Sequence, residues 1–457
     1  MTAALQTYNS HEIIGFVVTR QNVKLTNRHL DDNYVMAAIM QSIVISVGDE
    51  LTLGQTVDTN AAWLSGRLVE QGVITSRHWT VPDERKAIAQ AVQLAAGEAE
   101  LVILTGGLGP TSDDLTRQAL ADVLGTALEI NVMALKTIEA FFKAHQRPMT
   151  SSNRVQALCP LGAECLDNPC GTAPGLKLHK GRAIVIAMPG VPVEMKAMFD
   201  RHVAPLLTGQ TGLVILTGIL HTFGLGESQV GERLGELMDR SRNPKVGTTV
   251  AGGVVSVRVR SEFPTAVQAR AALDTTSAEV RRRLGNLFYG EGATTLPEVV
   301  GQLLKERGQT VATAESCTAG LVGKLLTDGP GSSAYYLGGW IAYANSLKSE
   351  ALGVPLELIV REGAVSEAVA RRMVEQACLR SGADHALALT GVAGPDGGLL
   401  EKPVGTVWIA LARRGAGGPE IRAERFVFSG SREMVRERAA KTALNLLRLE
   451  LLGNGDK

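Results

Sequence analysis

Apolar positions fall along this chain in two registers. From Met40 to about Thr208, short unbroken apolar runs alternate with stretches where apolar side chains recur every three or four residues. Ile43, Val44, Ile45 and Val47, closed by Gly48, read as a buried strand, and Leu101–Leu104 reads as another. Helical spacing is predicted over Thr59–Gly72, Asp83–Ala96 and Leu115–Leu124, with Gly72 and Gly125 as stops, and a further strand over Ala183–Ala187. Strands without polar alternation, separated by helices, predict a parallel sheet covered on both faces. Residues 209–290 differ. Val255 to Val259 alternates, and Ala266–Leu284 is a polar helix, so this stretch reads as a small α+β module with a half-exposed sheet. From about 294 to 457 the strand–helix alternation returns. Helices are predicted over Val299–Arg307, Ala319–Leu326, Val369–Ser381 and Arg432–Leu452, and strands over Thr310–Thr313, His385–Leu389 and Thr406–Leu411.

Residues 1–39 have no clear period and no closing turn signals. They are expected to form no domain, either as a short arm or through a start codon placed too far upstream. The remaining length suits about three domains at roughly 150 residues each.

Composition narrows the classes. Lys+Arg and Asp+Glu both count 46 and cancel, so no net charge draws the chain to nucleic acid or an anionic membrane. No apolar run reaches the length of a membrane span and no secretory leader is visible, so a cytoplasmic protein is expected. The five cysteines are too few for a disulfide scaffold, and the spacing of Cys159, Cys165 and Cys170 matches no common zinc pattern. Gly209-Gln-Thr-Gly212 has the GxxG spacing of an RNA-binding loop but lacks flanking Lys or Arg, so nucleic-acid binding is not expected.

Three loops carry candidate chemistry. Thr105-Gly-Gly-Leu-Gly-Pro-Thr-Ser-Asp-Asp114 follows a buried strand and precedes a helix. Gly106, Gly107 and Gly109 let backbone N–H groups approach a phosphate or carboxylate. Asp113 and Asp114, with Asp49 and Glu50 after the first strand, offer hard oxygen ligands for Mg²⁺. The competing reading makes these aspartates helix caps and first-turn charges. The second loop is Ala314-Glu-Ser-Cys-Thr-Ala-Gly320. Ser316 sits at a strand-to-helix turn where the positive helix end would favour developing negative charge. A serine nucleophile needs a base, and Lys348 serves if desolvation lowers its pKa. Cys317 competes as nucleophile, and a capping Ser316 with a solvated Lys348 is the plainer alternative. The third loop, Leu389 to Gly398, repeats Thr-Gly, Gly-Pro and Asp, and could wrap donors around an anion. Arg432, Arg436 and Arg438 open the last helix, where one could clamp a phosphate.

The chain resembles the CinA (competence/damage-inducible) family from Met40 to near its C-terminus. The residues that carry the resemblance are Ser46-Val-Gly-Asp-Glu-Leu51, Gly54-Gln-Thr-Val-Asp-Thr-Asn60, Thr105–Thr116, Gly171-Thr-Ala-Pro-Gly175 and Pro189-Gly-Val-Pro-Val-Glu-Met195. Ala314-Glu-Ser-Cys-Thr318, Gly331-Ser-Ser333, Gly391–Gly398 and Lys402-Pro-Val-Gly-Thr-Val-Trp408 extend it. The resemblance implies three domains, α/β at either end with a small α+β domain between them. Residues 40–208 would be a molybdopterin-binding-like domain acting as a metal-dependent ADP-ribose pyrophosphatase. Residues 209–290 would be KH-like. Residues 294–457 would be a nicotinamide mononucleotide amidohydrolase needing no cofactor. It implies Ser316 as nucleophile, Lys348 as base, Tyr343 and Thr390 in the active site, and Gly391, Gly394 and Arg432 around the substrate. In the first domain it implies Asn60, Thr105, Gly106 and Gly107 on the substrate and Asp49, Asp113 and Asp114 on a divalent metal such as Mg²⁺. It also implies a homodimer. A different class of function is a scaffold that keeps a nucleotide- or pterin-binding cleft without turnover and serves competence or DNA repair. Two positions depart from the family pattern. Val191 stands where Pro or Gly is common, and Ala319 where Gly is usual in the nucleophile motif. With negative φ at Ala319 little changes; a positive φ would tell against the amidase.

Overall fold

The structure, a computed structural model, describes residues 40–207 and 212–453. The expected extension 1–39 lies outside the described residues, as do Gly209, Gln210 and Thr211 of the GxxG loop.

The first sheet is built from β1 (Gln41–Val47), β2 (Ile74–Val81), β3 (Leu101–Thr105), β4 (Glu164–Leu166), β5 (Gly175–Lys180) and β6 (Ala183–Met188), in the order β2-β1-β3-β6-β5-β4. β1, β2, β3 and β6 run parallel. Helices α1 (Thr59–Glu70), α2 (Arg85–Glu98) and α3 (Thr116–Leu124) supply the crossovers. Two buried clusters, one centred on Ile45, Val92 and Leu104 and one on Val44, Leu64 and Phe199, cover the two faces. Full burial on both faces explains the unbroken apolar runs. The expectation of a wholly parallel sheet is corrected at one edge: β5 and β4 pair antiparallel. Gly181 and Arg182, with Gly181 at φ 60°, form the two-residue turn that joins β5 to β6, a link too short for any parallel crossover.

The middle sheet comprises β7 (Val214–Thr222), β8 (Lys245–Ala251), β9 (Val254–Phe263) and β10 (Phe288–Glu291), in the order β8-β9-β7-β10, all antiparallel. Helix α4 (Ala266–Leu284), N-capped by Thr265, buries Leu273, Val280 and Leu284 against Leu220, Val257 and Val259.

The third sheet has the order β12-β11-β13-β14-β15, from β11 (Val311–Glu315), β12 (Tyr336–Ile341), β13 (His385–Gly391), β14 (Thr406–Gly415) and β15 (Gly418–Val427). β11 is parallel to β12 and β13; β14 and β15 add antiparallel. Helices α5 (Leu296–Arg307), α6 (Leu321–Thr327) and α8 (Arg432–Leu451) pack on one face and α7 (Glu367–Ser381) on the other. α5 begins at Leu296, three residues before the predicted start, because Thr295 and Glu298 form a capping box. Among the described residues no helix is long and apolar enough to cross a membrane.

Candidate functional site

In both α/β sheets the loops after the parallel strands meet at one edge, where ligands of such sheets usually bind. At the first sheet this edge holds a cavity of about 450 Å³. Its walls include Gly106, Gly107, Leu108, Gly109, Asp113 and Asp114, with Glu50, Asp83, Gln156 and Glu194 from other loops. The glycines are required. A Cβ on Gly106 (φ 109°) would stand 2.3 Å from the Val47 carbonyl oxygen, and one on Gly107 (φ 67°) 2.3 Å from Thr116 Oγ1.

The aspartates divide. Asp114 shapes the loop: its Oδ1 accepts from Gly109 N at 2.6 Å and its Oδ2 from Thr111 N at 2.8 Å. Asp49 is held in a reciprocal pair: its N–H donates to Asp83 Oδ2 at 2.9 Å, while its Oδ1 accepts from Asp83 N at 3.1 Å. Asp113 stays exposed at the cavity, and Thr111 holds its carboxyl below the usual range. Asp83 goes the other way, raised by burial and by the charges of Asp49, Glu50 and Asp113. Among the described residues no three His, Cys, Asp or Glu side chains stand close enough to hold a metal ion. Asp49, Asp113 and Asp114 therefore do not form a ready site for a resident metal: both oxygens of Asp114 accept from its own loop, and Asp49 Oδ1 is engaged by the loop after β2. Asn60 and Thr105 are also corrected: neither is among the residues that line the cavity. Thr105, 3% exposed, donates through Oγ1 to the Pro189 carbonyl at 3.1 Å, and Asn60 Nδ2 donates to the Gly190 carbonyl at 2.8 Å. Asp83, Gln156 and Glu194 were not singled out in the sequence. They come from segments separate from the glycine loop, and no local spacing links them to it.

At the third sheet, Ser316 follows directly on β11. Its N–H donates to the Leu389 carbonyl at 2.9 Å, and the N–H of Ala342, just past β12, donates to the Glu315 carbonyl at 2.8 Å. The ends of β11, β12 and β13 are thus laced together around Ser316. Lys348 lies in the short helix Asn345–Glu350 and is 1% exposed. Its Nζ donates to the Tyr343 carbonyl at 3.0 Å, and among the described residues no carboxylate pairs with it. Burial lowers its pKa, opposed by the neighbouring Cys317. Burial pushes the Cys317 thiol up to about 12, although Lys348 and Arg436 pull the other way. Cys317 is thus held as a thiol, a poor nucleophile. Among the described residues no hydrogen bond joins Ser316 Oγ to Lys348 Nζ.

The helix end does not serve as expected. Glu315, buried at the last position of β11, takes the N–H groups of Gly320, Val322 and Gly323 at 3.0, 3.1 and 2.9 Å. The start of α6 is thereby occupied by a carboxylate. The N–H groups of Cys317 and Thr318 are left in the turn without an acceptor from another residue among the described ones. The Thr318 carbonyl is held from behind by Arg436 Nη2 at 2.8 Å. Ala319 has φ 51°, the case that tells against the amidase. Its methyl group is exposed, so the penalty is backbone strain of about 1–2 kcal/mol and not a clash in the site.

Arg432 joins the remaining pieces. Its Nη1 donates to the Gly394 carbonyl at 2.8 Å and its Nη2 to the Tyr343 hydroxyl at 2.9 Å. Thr390, 1% exposed, donates to the Ala364 carbonyl at 2.8 Å and so faces the loop before α7. Gly391 is forced by β14: a Cβ there would lie 2.7 Å from the Thr406 carbonyl oxygen.

Family models match the chain in three places. They are described as "Probable molybdopterin binding domain" over residues 43–209, "Damage-inducible protein CinA KH domain" over 217–290 and "CinA C-terminal domain" over 293–451. A putative competence-damage inducible protein of Symbiobacterium thermophilum is 44% identical over 419 residues, 90% of this chain and 98% of the relative. A CinA-like protein of Geobacter sulfurreducens is 42% identical over 416 residues, 90% of this chain and all of the relative. A crystal structure of a CinA protein of Thermoplasma acidophilum covers 37% of this chain and 98% of its own at 36% identity, with a TM-score of 0.35. Identity of this degree over nine-tenths of the sequence, in all three domains, places the chain in the CinA family.

Proposed function

We propose that the C-terminal domain is an amidohydrolase that deamidates nicotinamide mononucleotide, with Ser316 as nucleophile and Lys348 as base. One observation carries this reading: Lys348 is buried, unpaired with any carboxylate among the described residues, and packed beside the Ser316–Cys317 turn. Lysines so placed lose their proton readily and serve as bases. A neutral amine has two N–H donors and one lone pair. With one N–H on the Tyr343 carbonyl, the lone pair is free to accept from Ser316 Oγ. Ser316 then attacks the carboxamide carbon, the proton passes through Lys348 to the leaving ammonia, and water releases the carboxylate product. Donors for the oxyanion come from the turn, through Cys317 and Thr318 N–H, and not from the start of α6. Arg432 and Tyr343, at the rim, suit the phosphate of the nucleotide. Ammonia release from nicotinamide mononucleotide by the full chain is the test. Absence of release above the uncatalysed rate would end this reading.

For the N-terminal cavity the reading is a pyrophosphatase acting on ADP-ribose. Amide donors of the glycine loop would receive the pyrophosphate. A divalent cation belongs with the substrate here, since Mg²⁺ is usually held by one or two carboxylates together with substrate phosphates. Asp113 and Glu50, both exposed at the cavity, are the oxygens available to it. Turnover of ADP-ribose with and without Mg²⁺ tests this. A second reading, a nucleotide- or pterin-binding scaffold without turnover, is favoured by one feature: Asp49 and Asp114 are committed to loop bonds. ADP-ribose that binds but is not cleaved would select it. The homodimer belongs to the same proposal, and sedimentation of the full chain tests it.

A further inference from the structure

The loop from Gly106 to Gly109 has an unusual hydrogen-bond pattern. Its four consecutive carbonyls are all held from behind by two residues at the start of α3. Thr116 Oγ1 donates to the Gly106 carbonyl at 2.9 Å, and Thr116 N donates to the Gly107 carbonyl at 3.1 Å. Arg117 Nη1 donates to the Leu108 carbonyl at 2.7 Å, and Arg117 Nη2 donates to the Gly109 carbonyl. Of the four N–H groups, Gly106 donates to the Met188 carbonyl and Gly109 to Asp114. Those of Gly107 and Leu108 have no acceptor among the described residues, and both residues line the cavity.

A carbonyl turned toward an anion repels it, and an N–H turned toward it attracts it. Holding four carbonyls to one side therefore sorts the peptide dipoles of the loop: acceptors toward the protein, free donors toward the cavity. Arg117 is 1% exposed and, among the described residues, donates to no carboxylate; its hydrogen-bond partners are the two carbonyls. Burying a guanidinium is costly, and its fixed fork of donors matches two adjacent carbonyls as a single ammonium cannot. The nearby carboxylate of Asp114, and after it Cys165, favours the charged guanidinium, but among the described residues neither makes a hydrogen bond or ion pair with it.

We propose that Arg117 is a positioning residue: it fixes the glycine loop as an anion cradle in which the Gly107 and Leu108 N–H groups receive a pyrophosphate oxygen. This deepens, and rests on, the reading of the cavity as a pyrophosphate site. Arg117 itself touches no substrate.

The test uses the full chain as wild type, Arg117→Met and Arg117→Lys. Two quantities are measured: the KM and kcat for ADP-ribose with Mg²⁺, and the upward shift of the unfolding midpoint caused by inorganic pyrophosphate. A residue with only a structural role would lower the midpoint and leave the pyrophosphate-induced shift in place. The expected result is a KM raised on the order of tenfold or more in both variants, with the induced shift lost. Lysine recovers little, because it keeps the charge but not the two-pronged donor. If wild type shows the shift and both variants keep it, with unchanged KM, this inference falls and the reading of the cavity stands. If wild type itself neither shifts nor turns over ADP-ribose, the reading of the cavity falls and the inference with it. If Arg117→Met does not fold, Arg117→Lys decides by the same two quantities.

Discussion

Arg432 and Tyr343 are 89 positions apart, yet the guanidinium donates to the phenol oxygen at 2.9 Å. The same guanidinium holds the Gly394 carbonyl. One side chain at the start of α8 thus ties the loop after β12 to the loop after β13, beside the turn that carries Ser316. Both partners are exposed, so the pair stands at the rim and contributes little to stability. Its position suits capture of an anionic group entering from solvent.

Arg432→Met is therefore expected to raise the KM for nicotinamide mononucleotide about tenfold and to change kcat little, the pattern of lost uniform binding. Steady-state ammonia release over a substrate series measures both. A fall in kcat at constant KM would move Arg432 from the rim to the reacting centre.

Ala319 offers a test of backbone strain. At φ 51° its Cβ meets the following carbonyl, a conformation glycine adopts without cost. Ala319→Gly should stabilise the protein by about 1 kcal/mol, less the extra entropy that glycine gives the unfolded chain. Urea unfolding of the two proteins checks it. Destabilisation by the glycine would contradict the positive φ and reopen the geometry of the nucleophile turn.

The pattern of apolar residues located β1, β3, β6, β11 and β13, because full burial leaves an unbroken apolar mark, and it missed the edge strands β2 and β12, whose partly exposed residues leave none. It failed where context decides. Val-Ile-Leu-Thr-Gly occurs twice. At 102–106 it forms and follows a central parallel strand and is wholly buried. At 214–218 it belongs to an antiparallel strand open on one side. Five residues cannot choose between these; the partners on either side do. The candidate site was legible in part for the same reason. Ser316, Lys348 and Arg432 carry side chains whose chemistry marks them, whereas Tyr343 was reached only through the family resemblance. Arg117 and Glu315 act on backbone groups, and their roles appear only when the hydrogen bonds of a loop are followed one by one. Glu315 also reverses the expected use of the helix end, since a carboxylate already fills it.

The buried lysine sets a pH dependence. Burial disfavours its charged form, so its folded pKa lies below the ordinary 10.5. Between those two values the unfolded chain binds more protons than the folded one, so this group's contribution to stability rises with pH across that window. The reactive form is the neutral amine, and its fraction rises with pH through the folded value. The kcat/KM for ammonia release should therefore climb on the acid side with an apparent pKa below 10.5. A profile that falls as pH rises through the same range would require a protonated group in place of a base.

The most direct test of the central claim is ammonia release from nicotinamide mononucleotide by wild type, Ser316→Ala, Lys348→Ala, the double variant and Cys317→Ala. A nucleophile and base that act together lose activity together. Each single variant of Ser316 or Lys348 should fall on the order of 10³-fold or more in kcat, and the double variant little further. Cys317→Ala should lose far less, since burial keeps that thiol protonated. Near-wild-type activity in Ser316→Ala together with a dead Cys317→Ala would place the reaction on the thiol and contradict the account.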